Sequence, residues 1–162
     1  MPPDRAVVVG VGEPFRRDDG CGPRVVRALR GRLDPSVRLV ERVNEWTELL
    51  DLWDGAELTV VVDAMRSGGA VGSVVRLEGE ELRRAALERS PSSHGLSVRD
   101  AYELGWALGR LPRRLVLYLI EAADMEPGAE LSPEVERAVG QAAEAVVAEL
   151  AAGPGDPTLP GD

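Results

Sequence analysis

Two aspartates and the single histidine of this chain have residue types and positions that could form an open metal site. Asp19 follows the first apolar run of the sequence, and Asp63 ends another. His94 lies in a polar segment, residues 92–95. Carboxylates at the carboxyl ends of apolar runs occupy the place where open α/β sheets build their sites. Two carboxylates and one imidazole suit a borderline divalent cation, so the pattern predicts a shared metal site.

Each of these residues also has an ordinary structural interpretation. Asp18 and Asp19 could cap the start of a helix, where the macrodipole favours negative charge. Asp63 could close a turn, and His94 could be a hydrogen-bonded surface residue. Topology favours the shared site, because the first and third strands of a parallel sheet are often neighbours about 4.8 Å apart. Asp19 and Asp63 could therefore converge.

The elements that would position these residues alternate between strand and helix. This alternation is the βαβ pattern, and it predicts an α/β fold with a mostly parallel sheet and right-handed crossovers. A short edge strand is expected after a glycine-rich turn, and Ser132 is expected to cap the last helix. The predicted strands span residues 5–11, 37–43, 58–63, 74–77 and 115–120; the predicted helices span residues 23–33, 49–55, 80–87, 97–108 and 133–152.

Composition limits the classes of function. The length of 162 residues suits one domain, which we place at residues 1–152, with residues 153–162 expected to be a disordered tail. The net charge of −9 disfavours nucleic acid as a partner. The longest uncharged apolar run, residues 6–12, is too short to cross a membrane. The lone Cys21 fits a reducing cytoplasm, where we expect the protein to be found.

Two other kinds of site compete with the metal site as interpretations of this sequence. Gly10 and Gly12 after the first strand suggest a dinucleotide-binding loop, but Phe15 stands where the third glycine belongs. Acidic residues at the following helix would also repel a pyrophosphate. Cys21 at a helix start could be a reactive thiolate, although a small buried cysteine is the more common case.

Several segments in combination resemble the hydrogenase maturation proteases, which trim a carboxyl-terminal extension from the nickel-iron hydrogenase large subunit after nickel insertion. The resemblance covers about residues 5 to 150. It implies a three-layer α/β/α fold, a large-subunit precursor as partner, and Asp19, Asp63 and His94 as nickel-contacting, catalytic positions. The segments that carry it are residues 9–12, 17–22, 62–68, 92–96, 107–112 and 121–133.

One departure from the family concerns Glu13, because related proteins usually have asparagine directly after the Gly-x-Gly segment. An amide can donate hydrogen bonds, whereas an ionised glutamate only accepts them. Either this position has a different role here, or Glu13 is an additional metal ligand. A nearby carboxylate, Asp18 or Glu13, could also serve as the general base. Nickel could polarise the scissile carbonyl or a water molecule, or it could act only as a recognition handle. The alternative function is a non-enzymatic protein that binds nickel or the precursor.

Overall fold

The computed structural model describes residues 6–87 and 98–153, in which strands and helices alternate as the sequence pattern predicts. The strands are β1 Ala6–Gly10, β2 Val37–Val40, β3 Leu58–Met65, β4 Val74–Glu78 and β5 Arg114–Glu121. The helices are α1 Cys21–Leu29, α2 Thr47–Trp53, α3 Glu80–Leu87, α4 Val98–Leu108 and α5 Pro133–Ala151. A short 3₁₀ helix, Arg17–Gly20, precedes α1. The predicted domain boundary near residue 152 stays a prediction, because residues 154–162 lie outside these ranges.

The five strands form one sheet in the order β2-β1-β3-β5-β4. Strands β2, β1, β3 and β5 are parallel, and β4 pairs with β5 in the antiparallel direction at the edge. The expected pairing of the first and third strands is confirmed, with Gly10 of β1 opposite Val62 of β3. Strands β2 and β3 lie on opposite sides of β1, so the strand order reverses at β1. Open α/β sheets place their sites at such a point, outside the carboxyl ends of the strands.

Helices cover both faces of the sheet. Successive strand residues point to opposite faces: Val8 packs with α1 and α5, whereas Val7 and Val9 pack with α2 and α4. Leu82 of α3 joins the second cluster. The central strands are buried on both sides, which explains why they consist of continuous apolar runs. The expected three-layer α/β/α architecture is therefore confirmed.

Two predicted strand boundaries differ from the structure by more than one residue. Strand β2 ends at Val40 instead of residue 43, whereas β3 continues two residues beyond Asp63 to Met65. The extension follows from pairing, because β5 runs alongside β3 until Met65 lies opposite Glu121. Asp63 is therefore held within a strand. Among the helices in the described part of the chain, none is long and apolar enough to span a membrane.

Candidate active site

The loop that follows β1 wraps closely around Asp19. The backbone N–H of Glu13 donates to Asp19 Oδ2 at 3.0 Å, and the N–H of Asp19 donates to the Arg16 carbonyl at 3.1 Å. Gly12 has a φ of 129°, and a Cβ there would lie 1.9 Å from the Asp19 carbonyl oxygen. Only glycine fits so close an approach. The loop thereby fixes one oxygen of the Asp19 carboxylate by a main-chain donor.

Gly22 lets the start of α1 lie directly against the sheet. A Cβ at this position would lie 2.4 Å from the carbonyl oxygen of Val62 in β3 and 2.5 Å from that of Val11. The Val11 N–H donates to the same Val62 carbonyl at 2.9 Å. Close packing between the Asp19 loop, α1 and β3 thus accounts for the glycines of this segment. The dinucleotide interpretation is not needed to explain them.

Asp63 lies at the same edge of the sheet as Asp19, and the two carboxylates interact electrostatically. Most of the Asp63 surface is buried, and its Oδ1 accepts the Ala64 N–H at 2.8 Å. Burial is the main reason that the pKa of Asp63 is raised to about 7, and the negative charge of Asp19 adds to the effect. A carboxylate pair of this kind favours the approach of a cation. The predicted convergence of the two side chains therefore has electrostatic support.

His94 lies in the segment 88–97, outside the described residues, so its place beside the two aspartates stays a prediction. Across residues 6–87 and 98–153, no group of three or more histidine, cysteine, aspartate or glutamate side chains is arranged to hold a metal ion. Asp19 and Asp63 each use one carboxylate oxygen for a main-chain N–H. No hydrogen bond from the described residues reaches their second oxygens. A substrate-borne cation could use these oxygens.

Asp18, the neighbour of Asp19, is fully buried, and its carboxylate is not available to a cation. Its carboxylate accepts the N–H groups of Ala123, Asp124 and Ser132 and the Ser132 hydroxyl, at 2.7 to 3.0 Å. Burial alone would raise the pKa of Asp18, but these hydrogen bonds outweigh it and lower the pKa. Asp18 therefore ties the loop after β1 to the loop after β5. Its assignment as a general base is not supported.

Ser132 contacts Asp18 instead of making the helix-capping hydrogen bond that the sequence predicts. The sequence predicts that its side chain caps α5, but the hydroxyl makes no capping hydrogen bond to the helix. Instead it donates to Asp18 Oδ2 at 2.8 Å. Ser132 occupies the predicted N-cap position, but its side chain is turned toward Asp18, so its oxygen does not accept a helix N–H and the predicted side-chain cap is wrong.

Glu121 holds the loop that follows β3, as Asp18 holds the loop that follows β1. This role was not predicted from the sequence. This buried carboxylate accepts the N–H of Ser67, the Ser67 hydroxyl and the N–H of Gly68, at 2.8 to 3.0 Å. The sequence feature that could have identified Glu121 is its position as an acidic residue at the end of an apolar strand. Because β3 and β5 are paired, Glu121 fixes the segment directly after the strand that carries Asp63.

Glu13 and Cys21 are each explained by their neighbours. The Glu13 side chain forms an ion pair with Arg42 at 2.8 Å, and only its backbone N–H contacts Asp19. Cys21 is fully buried in the core beneath the site. Burial raises the pKa of its thiol well above the usual value, and the charges of Asp63, Asp19 and Asp18 add to the effect. The expected burial of Cys21 is therefore confirmed, and its surroundings give no support to the reactive-thiolate alternative.

Comparison with known proteins gives one consistent family. Residues 23–149 match the family described as hydrogenase maturation protease. The chain is 30% identical to the hydrogenase 2 maturation protease of Escherichia coli K12 over 149 residues, which cover 90% of both proteins. It is 27% identical over 148 residues to the hydrogenase expression/formation protein HupD of Thiocapsa roseopersicina, covering 90% of this chain and 67% of the relative.

Solved structures give the same result. The hydrogenase maturating endopeptidase HybD of Escherichia coli superposes with a TM-score of 0.79 at 29% identity, covering 91% of this chain and 93% of that one. The [NiFe] hydrogenase maturation protease HybD of Thermococcus kodakarensis superposes with a TM-score of 0.71 at 26% identity, covering 91% and 99%.

Proposed function

The chain belongs to the hydrogenase maturation protease family, and we propose that it removes the carboxyl-terminal extension of a nickel-iron hydrogenase large-subunit precursor after nickel insertion. It is a peptidase, as its relatives and structural neighbours are. The observation that carries the finer proposal is the pair Asp19 and Asp63. The two carboxylates interact at one edge of the sheet, and each has an oxygen that no described residue engages.

In this proposal nickel is part of the substrate, and the protein contacts it through Asp19, Asp63 and His94. The two carboxylates offer oxygen ligands, and an imidazole would add a nitrogen ligand suited to nickel. Neighbouring carboxylates repel each other, and a divalent cation between them removes that repulsion. A precursor that has received its metal would thereby bind better than one that has not.

The structure narrows which side chains could act on the scissile bond. Asp18 is occupied by four hydrogen bonds, and the Glu13 side chain is paired with Arg42. Asp19 and Asp63 are then the carboxylates of this edge with an oxygen left for water or metal. We propose that hydrolysis depends on this pair, in the manner of an aspartic-type peptidase. Nickel either polarises the scissile carbonyl or water or serves as a recognition handle.

A cytoplasmic location and a single protein partner, the large-subunit precursor, complete the proposal. The one cysteine of the chain is buried and forms no disulfide, which fits a reducing compartment. The net charge of −9 gives no support for nucleic acid as a partner. The alternative of a protein that binds the precursor without cleaving it becomes an outcome of the test below.

The test is the intact mass of the nickel-loaded cognate precursor after incubation with the protein. The wild type is expected to release one defined carboxyl-terminal peptide, whereas Asp19→Asn, Asp63→Asn and His94→Ala, each folded, are expected to release none. Full processing by the His94→Ala protein would remove His94 from the site. A precursor that binds and stays intact with wild type would favour the non-enzymatic alternative.

The nickel-free precursor separates the two roles of the metal. A recognition handle contributes binding alone, so its loss would raise KM and leave cleavage at saturating substrate. A metal that polarises the reacting groups would instead be needed for kcat. Equal cleavage of both precursors at every concentration would contradict any role for nickel.

A further inference from the structure

Phe15 is the only phenylalanine of the chain, and 70% of its surface is exposed. No other large apolar side chain among the described residues is exposed to this degree. Single exposed apolar side chains are common on protein surfaces. What distinguishes Phe15 is the loop that carries it and the site beside which that loop lies.

The loop around Phe15 is braced by main-chain hydrogen bonds. The Phe15 carbonyl accepts the Gly128 N–H at 2.9 Å, and the Arg17 N–H donates to the Gly128 carbonyl at 2.9 Å. Within the loop, the Arg16 N–H donates to the Glu13 carbonyl at 3.1 Å. A segment that is already ordered loses little further conformational entropy when a partner binds to it. The ring is therefore presented from a prepared support.

Phe15 is carried by the same loop as Asp19. It stands four residues before Asp19, a separation that spans at most about 14 Å even when fully extended. Glu13, two residues before it, bonds the Asp19 carboxylate directly. A protein substrate whose scissile segment reaches Asp19 therefore needs to extend no more than about 14 Å beyond it to reach residue 15.

The charged neighbours of Phe15 are engaged with their own chain. Arg16 donates from its guanidinium to the Met125 carbonyl at 3.3 Å, and Arg17 pairs with Asp124 at 3.4 Å. These contacts direct both guanidinium groups toward the loop after β5. The side chain of this loop that a partner could contact is therefore the apolar ring of Phe15.

We propose that Phe15 is a substrate-docking residue that inserts into an apolar pocket of the large-subunit precursor beside its metal-bearing segment. This inference rests on the proposed function and adds a contact outside the carboxylate pair. Its occupant is the precursor because one braced loop carries both the ring and Asp19, the residue that the precursor must reach. Large aromatic side chains in such positions often supply much of the binding free energy of an interface.

The test compares wild type, Phe15→Ser, Phe15→Leu and Leu108→Ser on the nickel-loaded precursor, with KM and kcat read from intact mass. Leu108 is the control, because it is 55% exposed and lies near the start of β5, at the opposite edge of the sheet. We expect Phe15→Ser to raise KM about tenfold with kcat unchanged, as for an interface anchor. Phe15→Leu should restore most of the affinity, and Leu108→Ser should match wild type. Unfolding midpoints should agree among all four proteins.

An unchanged KM for Phe15→Ser beside an active wild type would overturn this inference and leave the proposed function intact. A loss of kcat at constant KM would also overturn it, since it would place the ring in the chemistry. Sedimentation adds a further arm: a wild-type dimer that Phe15→Ser dissociates would make a second copy the occupant. A wild type that cleaves nothing would overturn the proposed function, and the docking role would fall with it.

Discussion

Ser132 donates both its backbone N–H and its hydroxyl to the buried carboxylate of Asp18, at 2.7 and 2.8 Å. This contact joins the loop after β1 to the first turn of α5, across 114 residues of sequence. It holds Asp19, the next residue, in a fixed frame at the edge of the sheet. Asp18 therefore secures the loop, whereas Asp19 keeps one carboxylate oxygen that accepts no hydrogen bond from the described residues.

We expect Asp18→Asn to lower the free energy of unfolding by about 2–4 kcal/mol, because the amide turns N–H groups toward a cluster of donors. Chemical denaturation at pH 7 measures this. Asp124→Asn is the control: its carboxylate is 40% exposed and pairs with Arg17, so its loss should cost less than about 1 kcal/mol. Equal stability of the wild-type and Asp18→Asn proteins would show that the four hydrogen bonds contribute nothing.

The Asp18 contribution also has a defined pH dependence. The folded state lowers the pKa of Asp18, so the charged form stabilises the fold above the unfolded pKa of about 3.9. This stabilisation is lost as the pH falls through the folded pKa. The difference between wild type and Asp18→Asn should therefore shrink in acid, and a difference that stays constant down to pH 2 would contradict the assignment.

Asp63→Asn is expected to stabilise the fold at neutral and alkaline pH while it abolishes processing. The folded pKa of Asp63 is raised to about 7, above the unfolded value of about 3.9. The folded protein therefore holds the proton more tightly, and ionisation destabilises it as the pH rises between these values. Asparagine avoids this cost and still accepts the Ala64 N–H.

Thermal unfolding at pH 4 and pH 8 measures the Asp63 effect. At pH 8 the gain should approach an upper limit of about 4 kcal/mol, from 1.36 kcal/mol for each unit of pKa. At pH 4 it should vanish, because Asp63 is then protonated. Asp19→Asn should give a smaller gain, since the charge of Asp19 is a secondary cause of the raised pKa. A gain independent of pH would refute this account.

Glu13→Asn, which restores the residue usual in related proteins, should change processing by no more than about threefold. The contact with Asp19 comes from the backbone N–H of residue 13, which the substitution keeps. The side chain gives up only a half-exposed ion pair with Arg42, worth about 1 kcal/mol or less. Arg42→Ala is the matched control and should behave alike. A large gain or loss in kcat/KM for Glu13→Asn alone would assign the side chain a direct role.

Cys21 should resist alkylation in the folded protein and should not be needed for processing. Its thiol is fully buried, and its raised pKa leaves little thiolate at neutral pH. Iodoacetamide labelling followed by intact mass should show modification only in denaturant. Cys21→Ala should keep kcat/KM and cost about 1 kcal/mol of stability through lost packing. Inactivation of the native wild type by the reagent, with the mass of one adduct, would contradict this.

The sequence by itself determined the elements and their order. Continuous apolar runs marked β1, β3 and β5, because strands buried on both faces need apolar residues at every position. Motif spacing then identified the family and selected Asp19 and Asp63, since strand ends of a parallel sheet share one edge. These features depend on residues close in sequence or on a general property of the fold, so they can be read from the chain alone.

Only the tertiary structure showed that Asp18, the neighbour of the selected Asp19, is occupied by hydrogen bonds to distant segments. The donors that bury and satisfy Asp18 come from the loop after β5, between 105 and 114 residues away. Contacts between distant segments also join Glu121 to the loop after β3. They turn the Ser132 hydroxyl toward Asp18 and away from the predicted helix cap. Local pattern fixes which residues can form a strand or helix. The packing of distant segments decides which acid is held as a support and which keeps an oxygen for a ligand.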